Sequence, residues 1–342
     1  MNNYKNEIQQ QKTRNSNFEA LHILCMLFIV AGHLIKNQEF ESLTYDRFYT
    51  CGIVMFFTCA VNCFVLISGW YGINLSWKKI IRLNDVTTFY ALILGGMVVL
   101  FGAYLPDTQR VVKIFIPSIT REYWFITVYL ALCILSPYLN LLVQKLEKED
   151  LKKLLIICSC LFILQPTCGA ILNFDSITLD GGYGIVNFSY LYLIGRYLRL
   201  YNNPSKKAHI YFLYYLLVTL AGGAFQIVYS HILGFEFTTL KSYNTIFVFL
   251  ASIFLFCSFS RLHFDSHIVN YIAKFCFSVY LIHSHPWCFS WFYNRILGMK
   301  NITDDGFCIA LIVVPILTYV VCIIIESVRM QLYQLHPIKW LR

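Results

Sequence analysis

The sequence predicts an all-α, polytopic membrane helix bundle, and three observations carry that expectation. Of its 342 residues, 58% are hydrophobic and 13% charged, whereas soluble domains carry about 25% charged residues. Mean hydropathy is +0.60, so a water-soluble fold would lack polar surface. Apolar runs of about 20 residues, the length needed to cross a bilayer, recur from one end of the chain to the other.

Ten segments qualify as spans: about 18–36, 50–71, 83–104, 122–143, 152–172, 183–201, 208–232, 242–260, 268–292 and 307–329. Their order leaves no room for a soluble domain, so residues 14–342 read as a single membrane domain. Residues 1–13, polar and rich in Asn and Gln, are expected to form a mobile cytoplasmic tail. They lack the short apolar core and small-residue cleavage site of a signal peptide. With the N-terminus inside and the segments alternating, nineteen of the 27 Lys and Arg fall on the inner side and eight on the outer. Such an excess is the positive-inside signature. It predicts ten helices with both termini cytoplasmic.

The same charges exclude a nucleic-acid partner. Net charge is +9, but the basic residues are scattered between apolar runs and form no basic stripe. The thirteen cysteines mostly sit inside apolar segments without zinc-type or disulfide-framework spacing. They read as small apolar filler, and no metal is expected.

Four stretches carry candidate chemistry. The first span holds His33 about 22 Å beyond Phe18, at 1.5 Å per residue, in the outer half of the membrane. An ionisable group at that depth is costly and points to function. His22 lies eleven residues earlier, three turns, and therefore on the same face. Glu19, one turn below His22, can pair with it. In SWKKIIRLND at 76–85, Lys79 and Arg82 share a helix face, either as an inner membrane anchor or as a phosphate clamp. YWFITVYLALCILSPYLN at 123–140 opens on Tyr123 and Trp124 at the outer surface and reaches a helix-ending Pro137. FSVYLIHSHPW at 277–287 places His283 and His285 two residues apart, pointing to different sides of a helix, which argues against a shared metal.

In this order and spacing, RNSNFEALHILCMLFIVAGH, NCFVLISGW, KKIIR, YWFITVYLALCILSPYLN and SVYLIH resemble acyltransferase family 3, the integral membrane O-acyltransferases that modify bacterial glycans. The resemblance spans most of the chain. It implies transfer of an acyl group, usually acetyl from acetyl-CoA, to a sugar hydroxyl at the bacterial cytoplasmic membrane. The family's first span carries an arginine eleven residues before a histidine. Here the histidine is His33 and the arginine position holds His22, which cannot supply a permanent planar cation. Arg14 or another cation would have to replace it. The family's basic pair falls on Lys79 and Arg82.

The resemblance therefore implies donor phosphates near Lys79 and Arg82 and an acyl arm along the Glu19, His22 and His33 face. His33 would serve as general base or transient acyl carrier. A glycan or lipid-linked sugar would lie near Tyr123 and Trp124, with His283 orienting it or His33. A transporter or lipid-linked glycan flippase is the competing expectation. Such proteins show internal repeats and helices interrupted at matching positions; neither is evident in this sequence, although Gly95-Gly96 and Gly222-Gly223 both fall in helix interiors. Acyl-group identity, acceptor and oligomeric state are not encoded in these motifs.

Overall fold

The computed structural model describes residues 15–36, 47–101, 107–201, 205–235, 237–288 and 304–335. The expected tail at 1–13 and the candidate Arg14 lie outside the described residues. Among those described, all regular structure is helical. Helix α1 is Ser16–Lys36. The second span is built from α2 (Arg47–Ile53), α3 (Met55–Thr58) and α4 (Ala60–Tyr71), followed by α5 (Trp77–Leu100) and a short α6 (Thr108–Phe115). Next come α7 (Trp124–Lys145), α8 (Lys148–Ser159), a π-turn at Cys160–Leu164 and α9 (Gln165–Leu172). The chain continues through α10 (Ile185–Leu200), α11 (Ala208–Leu233), α12 (Ile246–Ser260), α13 (His267–Ala273), α14 (Cys276–His283) and α15 (Asp304–Leu335).

Among the described residues, eight stretches are long and apolar enough to cross a membrane, so this is a multi-pass membrane protein. The other two expected spans differ in form. Helix α10 has only 16 residues, and the ninth segment is broken into α13 and α14. In the ninth segment α13 leaves Ile268 and Tyr271 exposed, but α10 and α14 are rich in buried positions, with Phe188, Leu191, Tyr192, Val279 and Leu281 almost wholly enclosed. Neighbouring helices, rather than lipid, cover them.

Local chemistry explains the irregularities. Pro137 does not end α7 but lies inside it. The carbonyl it leaves without a helical donor is that of Cys133, and Ser136 Oγ donates to that oxygen at 2.8 Å. The side chain thus replaces the missing backbone bond inside the membrane. The π-turn at Cys160–Leu164 precedes Pro166, whose missing N–H widens the helix by one residue. Helices α5 and α11 run unbroken through Gly95-Gly96 and Gly222-Gly223. At Gly223 an added Cβ would lie 2.9 Å from the Gly52 carbonyl oxygen, so that glycine lets α11 approach α2 closely.

Helix α1 is the wall shared by two cores. Phe18, Leu21 and Cys25 pack with residues of α4, α10 and α12, while Met26, Val30 and Leu34 pack with α5, α14 and α15. Near the end of α15, Arg329 holds Glu326 with two bonds of 2.6 and 2.7 Å, and Tyr90 of α5 donates to the same carboxylate. This buried polar clasp ties α15 to α5 and leaves the space beside α1 to the functional site.

Candidate active site

A cavity of about 390 Å³ follows α1 and is lined by Glu19, His22 and His33 together. At 1.5 Å per residue the rise from Glu19 to His33 is about 21 Å, most of a bilayer's hydrocarbon thickness of about 30 Å. One end is lined by Glu19 and Lys274, the other by Trp124, Tyr183, Lys241 and Tyr243. In the topology expected from the basic residues, the first end faces the cytoplasm and the second the outside.

At the first end, His22 Nδ1 lies 3.3 Å from Glu19 Oε2, and its ring stacks on Phe64 at 5.3 Å. The i, i+3 spacing places the two side chains on one face of α1, and the stacked aromatic fixes the ring plane. His22 is thereby held as a hydrogen-bonding group beside a carboxylate.

Deeper along α1, His33 meets His283 of α14. His283 Nδ1 is 2.6 Å from the Val279 carbonyl oxygen, and its Nε2 is 3.3 Å from His33 Nδ1. A carbonyl oxygen only accepts, so His283 carries its proton on Nδ1. In a neutral ring Nε2 is then an acceptor, and His33 Nδ1–H donates to it. The chain of bonds assigns the basic lone pair of His33 to Nε2. The i−4 carbonyl comes from α14's own backbone, so a regular helix turn orders two histidines.

His285 does not join this pair. Its Nε2–H donates to the Ala91 carbonyl at 3.2 Å, and its Nδ1 accepts from Trp287 N–H at 3.2 Å. It fastens the chain after α14 to α5. Among the described residues, no three His, Cys, Asp or Glu side chains converge as metal ligands.

The far end is aromatic. Trp124 lies 4.6 Å from the Tyr183 ring and 5.7 Å from Tyr243, stacked on the latter, and Tyr183 and Tyr243 are 4.5 Å apart. The Asp180-Gly181-Gly182 turn makes this possible. Gly181 and Gly182 have φ of 60° and 82°, a region open chiefly to glycine. Asp180 Oδ1 accepts from Gly182 N–H at 2.9 Å. Asn62 donates to the Tyr243 carbonyl at 2.8 Å, which anchors the second tyrosine.

The remaining sequence candidates lie elsewhere. Tyr123 is buried and donates to the Leu281 carbonyl at 3.0 Å, so its hydroxyl braces α14 and does not line the cavity. Lys79 and Arg82 are exposed near the start of α5 and do not line this cavity either. Sequence reasoning missed Tyr183, Tyr243, Lys241 and Lys274. The Asp-Gly-Gly-Tyr turn at 180–183 was the one local signal pointing at this aromatic cluster.

The fold and cavity define a multi-pass membrane protein with paired histidines beside a passage along its first helix. The acyltransferase domain of acyltransferase family 3 matches residues 15–326, and the chain belongs to that family. No curated protein and no solved structure matches it.

Proposed function

We propose that this membrane acyltransferase moves an acyl group, acetyl in the first instance, from acyl-CoA to a sugar hydroxyl. The acceptor is a cell-surface glycan or its lipid-linked precursor, and the location is the bacterial cytoplasmic membrane. The observation that carries this reading is the ordered His33–His283–Val279 chain beside a cavity with a charged end and an aromatic end.

The acyl thioester enters past Glu19, His22 and Lys274, and its arm follows α1. The sugar enters past Trp124, Tyr183 and Tyr243, whose flat faces suit the apolar faces of a pyranose ring. His33 Nε2 takes the proton of the acceptor hydroxyl as its oxygen attacks the thioester carbonyl. The C–O ester bond forms, the C–S bond breaks, and the CoA thiolate leaves with the proton that His33 returns. His283 positions His33 and keeps its other nitrogen protonated.

The test uses membranes containing the protein, labelled acetyl-CoA and the host's glycan fraction. Wild type should transfer label to the glycan. His33→Ala should lose activity by about 10²- to 10⁴-fold, the usual contribution of a general base, with membrane insertion intact. Full labelling by that variant overturns the proposal. Glycan transport without any acyl incorporation would establish the flippase reading instead.

A further inference from the structure

The aromatic end of the cavity along α1 also carries a positive charge. Lys241 lines it beside Trp124, Tyr183 and Tyr243. Glu19 is the one acidic residue in the lining and belongs to the opposite end, so among the described residues no carboxylate lines the end that holds Lys241. The inner end, by contrast, sets Lys274 beside Glu19. In the topology expected from the basic residues, Lys241 is one of eight Lys and Arg on the outer side, the side on which such residues are depleted.

Hydrogen bonds fix the backbone of this lysine relative to the rings. Lys241 closes a short 3₁₀ turn, Thr239–Lys241. Leu240 beside it is fully buried, and its carbonyl accepts from Thr245 Oγ1 at 2.6 Å. Tyr243 N–H donates to the Gly181 carbonyl at 2.9 Å, and Asn244 Nδ2 donates to Thr178 Oγ1 at 2.8 Å. The segment carrying Lys241 and Tyr243 is thus bonded to the turn that carries Tyr183. Asn187 of α10 holds that turn from its other side chain partner, donating to the Gly182 carbonyl at 3.0 Å. Cation and rings share one framework, and a ligand has neither loop to order.

A second cation stands at the rim. Arg121 is exposed and has φ of 61°, in the left-handed region that is costly for a bulky side chain. In that conformation its Nη2 donates to the Tyr183 carbonyl at 3.5 Å. Among the described residues no carboxylate forms an ion pair with Arg121. Asp180, the acidic group of the neighbouring turn, accepts from Gly182 N–H. Neither Asp180 nor Glu122 lines the cavity.

The flat rings alone would serve a neutral pyranose. An ammonium group fixed beside them matches a negative group on the same sugar, because a charge-assisted hydrogen bond is about twice as strong as a neutral one. Resting on the acyltransferase reading above, we propose that the acceptor is an anionic sugar. Its ring stacks on the Trp124, Tyr183 and Tyr243 cluster while its carboxylate or phosphate meets Lys241. Arg121 at the rim draws the same charge in from solvent. Lys241 sets the choice of acceptor, and His33 remains the base.

The experiment follows transfer from labelled acetyl-CoA, in membranes containing the full-length protein, to the host's de-O-acetylated glycan fraction. The glycan is supplied in three forms: otherwise untreated, carboxyl-reduced and dephosphorylated. Wild type should lose about tenfold or more in kcat/KM, the scale of a charge-assisted hydrogen bond, on at least one treated form. The form that fails tells a carboxylate from a phosphate. Lys241→Gln should show a similar loss on untreated glycan, through KM with kcat nearly kept, and should no longer distinguish treated from untreated acceptor. Lys241→Arg, which keeps the charge, should recover most of the loss and guards against a folding defect. Arg121→Gln should have a smaller effect that fades at high salt. Equal transfer by wild type to all three forms overturns the anionic acceptor and leaves the acyltransferase reading standing. So does a Lys241→Gln defect of one size on every form, which would mark a packing or lipid-headgroup contact. Wild-type protein that labels none of the three overturns the acyltransferase reading itself.

Discussion

At the scale of single residues, the hydrogen-bond geometry predicts that His283 positions His33 and does not itself meet substrate. His283 Nε2 accepts from His33 Nδ1 at 3.3 Å while its own Nδ1 is satisfied by Val279. Removing the acceptor leaves the His33 N–H unmatched in a partly buried site, a loss of about 1–3 kcal/mol. His283→Phe is therefore expected to lower kcat by about tenfold to hundredfold with the KM for acyl-CoA little changed. His283→Gln, whose side-chain carbonyl can still accept, should retain more activity than the Phe variant. Steady-state kinetics on the two variants decide this: equal defects, or a defect in KM alone, would deny the positioning role. His33 was legible in the sequence because an ionisable side chain inside an apolar run is rare and costly. Tyr183 and Tyr243 were not: the Asp-Gly-Gly turn marks a bend before Tyr183, but among 24 tyrosines nothing else in the sequence separates these two rings from those that merely pack. Their pairing with Trp124 depends on three segments meeting in space.

At the scale of elements, glycine placement decides how closely helices approach. A methyl at Gly69 would run into the Tyr192 carbonyl oxygen, and one at Gly195 would lie 2.5 Å from the Leu66 carbonyl oxygen. Helices α4 and α10 thus cross backbone to backbone, as small residues permit in membranes. Backbone cannot yield as a flexible side chain can, so Gly195→Ala should destabilise by about 3 kcal/mol, the upper part of the overpacking range. Gly96→Ala meets nothing within 4 Å and should be neutral or mildly stabilising, since alanine is the better helix former. Thermal unfolding in detergent, followed by size exclusion, measures both; equal melting temperatures for the two variants would refute the close crossing. Hydropathy located the helical segments but not their interruptions. The breaks between α2, α3 and α4, and between α13 and α14, leave the local apolar content unchanged. A window average has no means of registering them. The π-turn before Pro166 and the Ser136 bond that spares α7 at Pro137 are likewise single hydrogen-bond events.

At the scale of the whole molecule, the arrangement works as a passage only if its two ends face opposite sides of the membrane, and α10 is the decisive element. Its 16 residues extend about 24 Å, short of the roughly 30 Å hydrocarbon core. Its first residue follows Tyr183 and Gly184 beside the aromatic end of the cavity, and its last turn carries Arg199 at the opposite end. A helix enclosed by protein has no lipid to match along its length, and its ends can stop within the bundle where other residues continue the route. Helix α10 is therefore expected to cross. An epitope inserted after Asp175, in the exposed loop before α10, should be detected on intact cells. One inserted after Ser205, beyond α10, should be detected only after permeabilisation. If both epitopes appear on one side, α10 does not cross. The alternation of basic residues then fails downstream, and the cavity cannot receive a donor and an acceptor from opposite faces. If they appear on opposite sides, the sixth segment is a true span that falls below a length criterion because its partners are helices and not lipid.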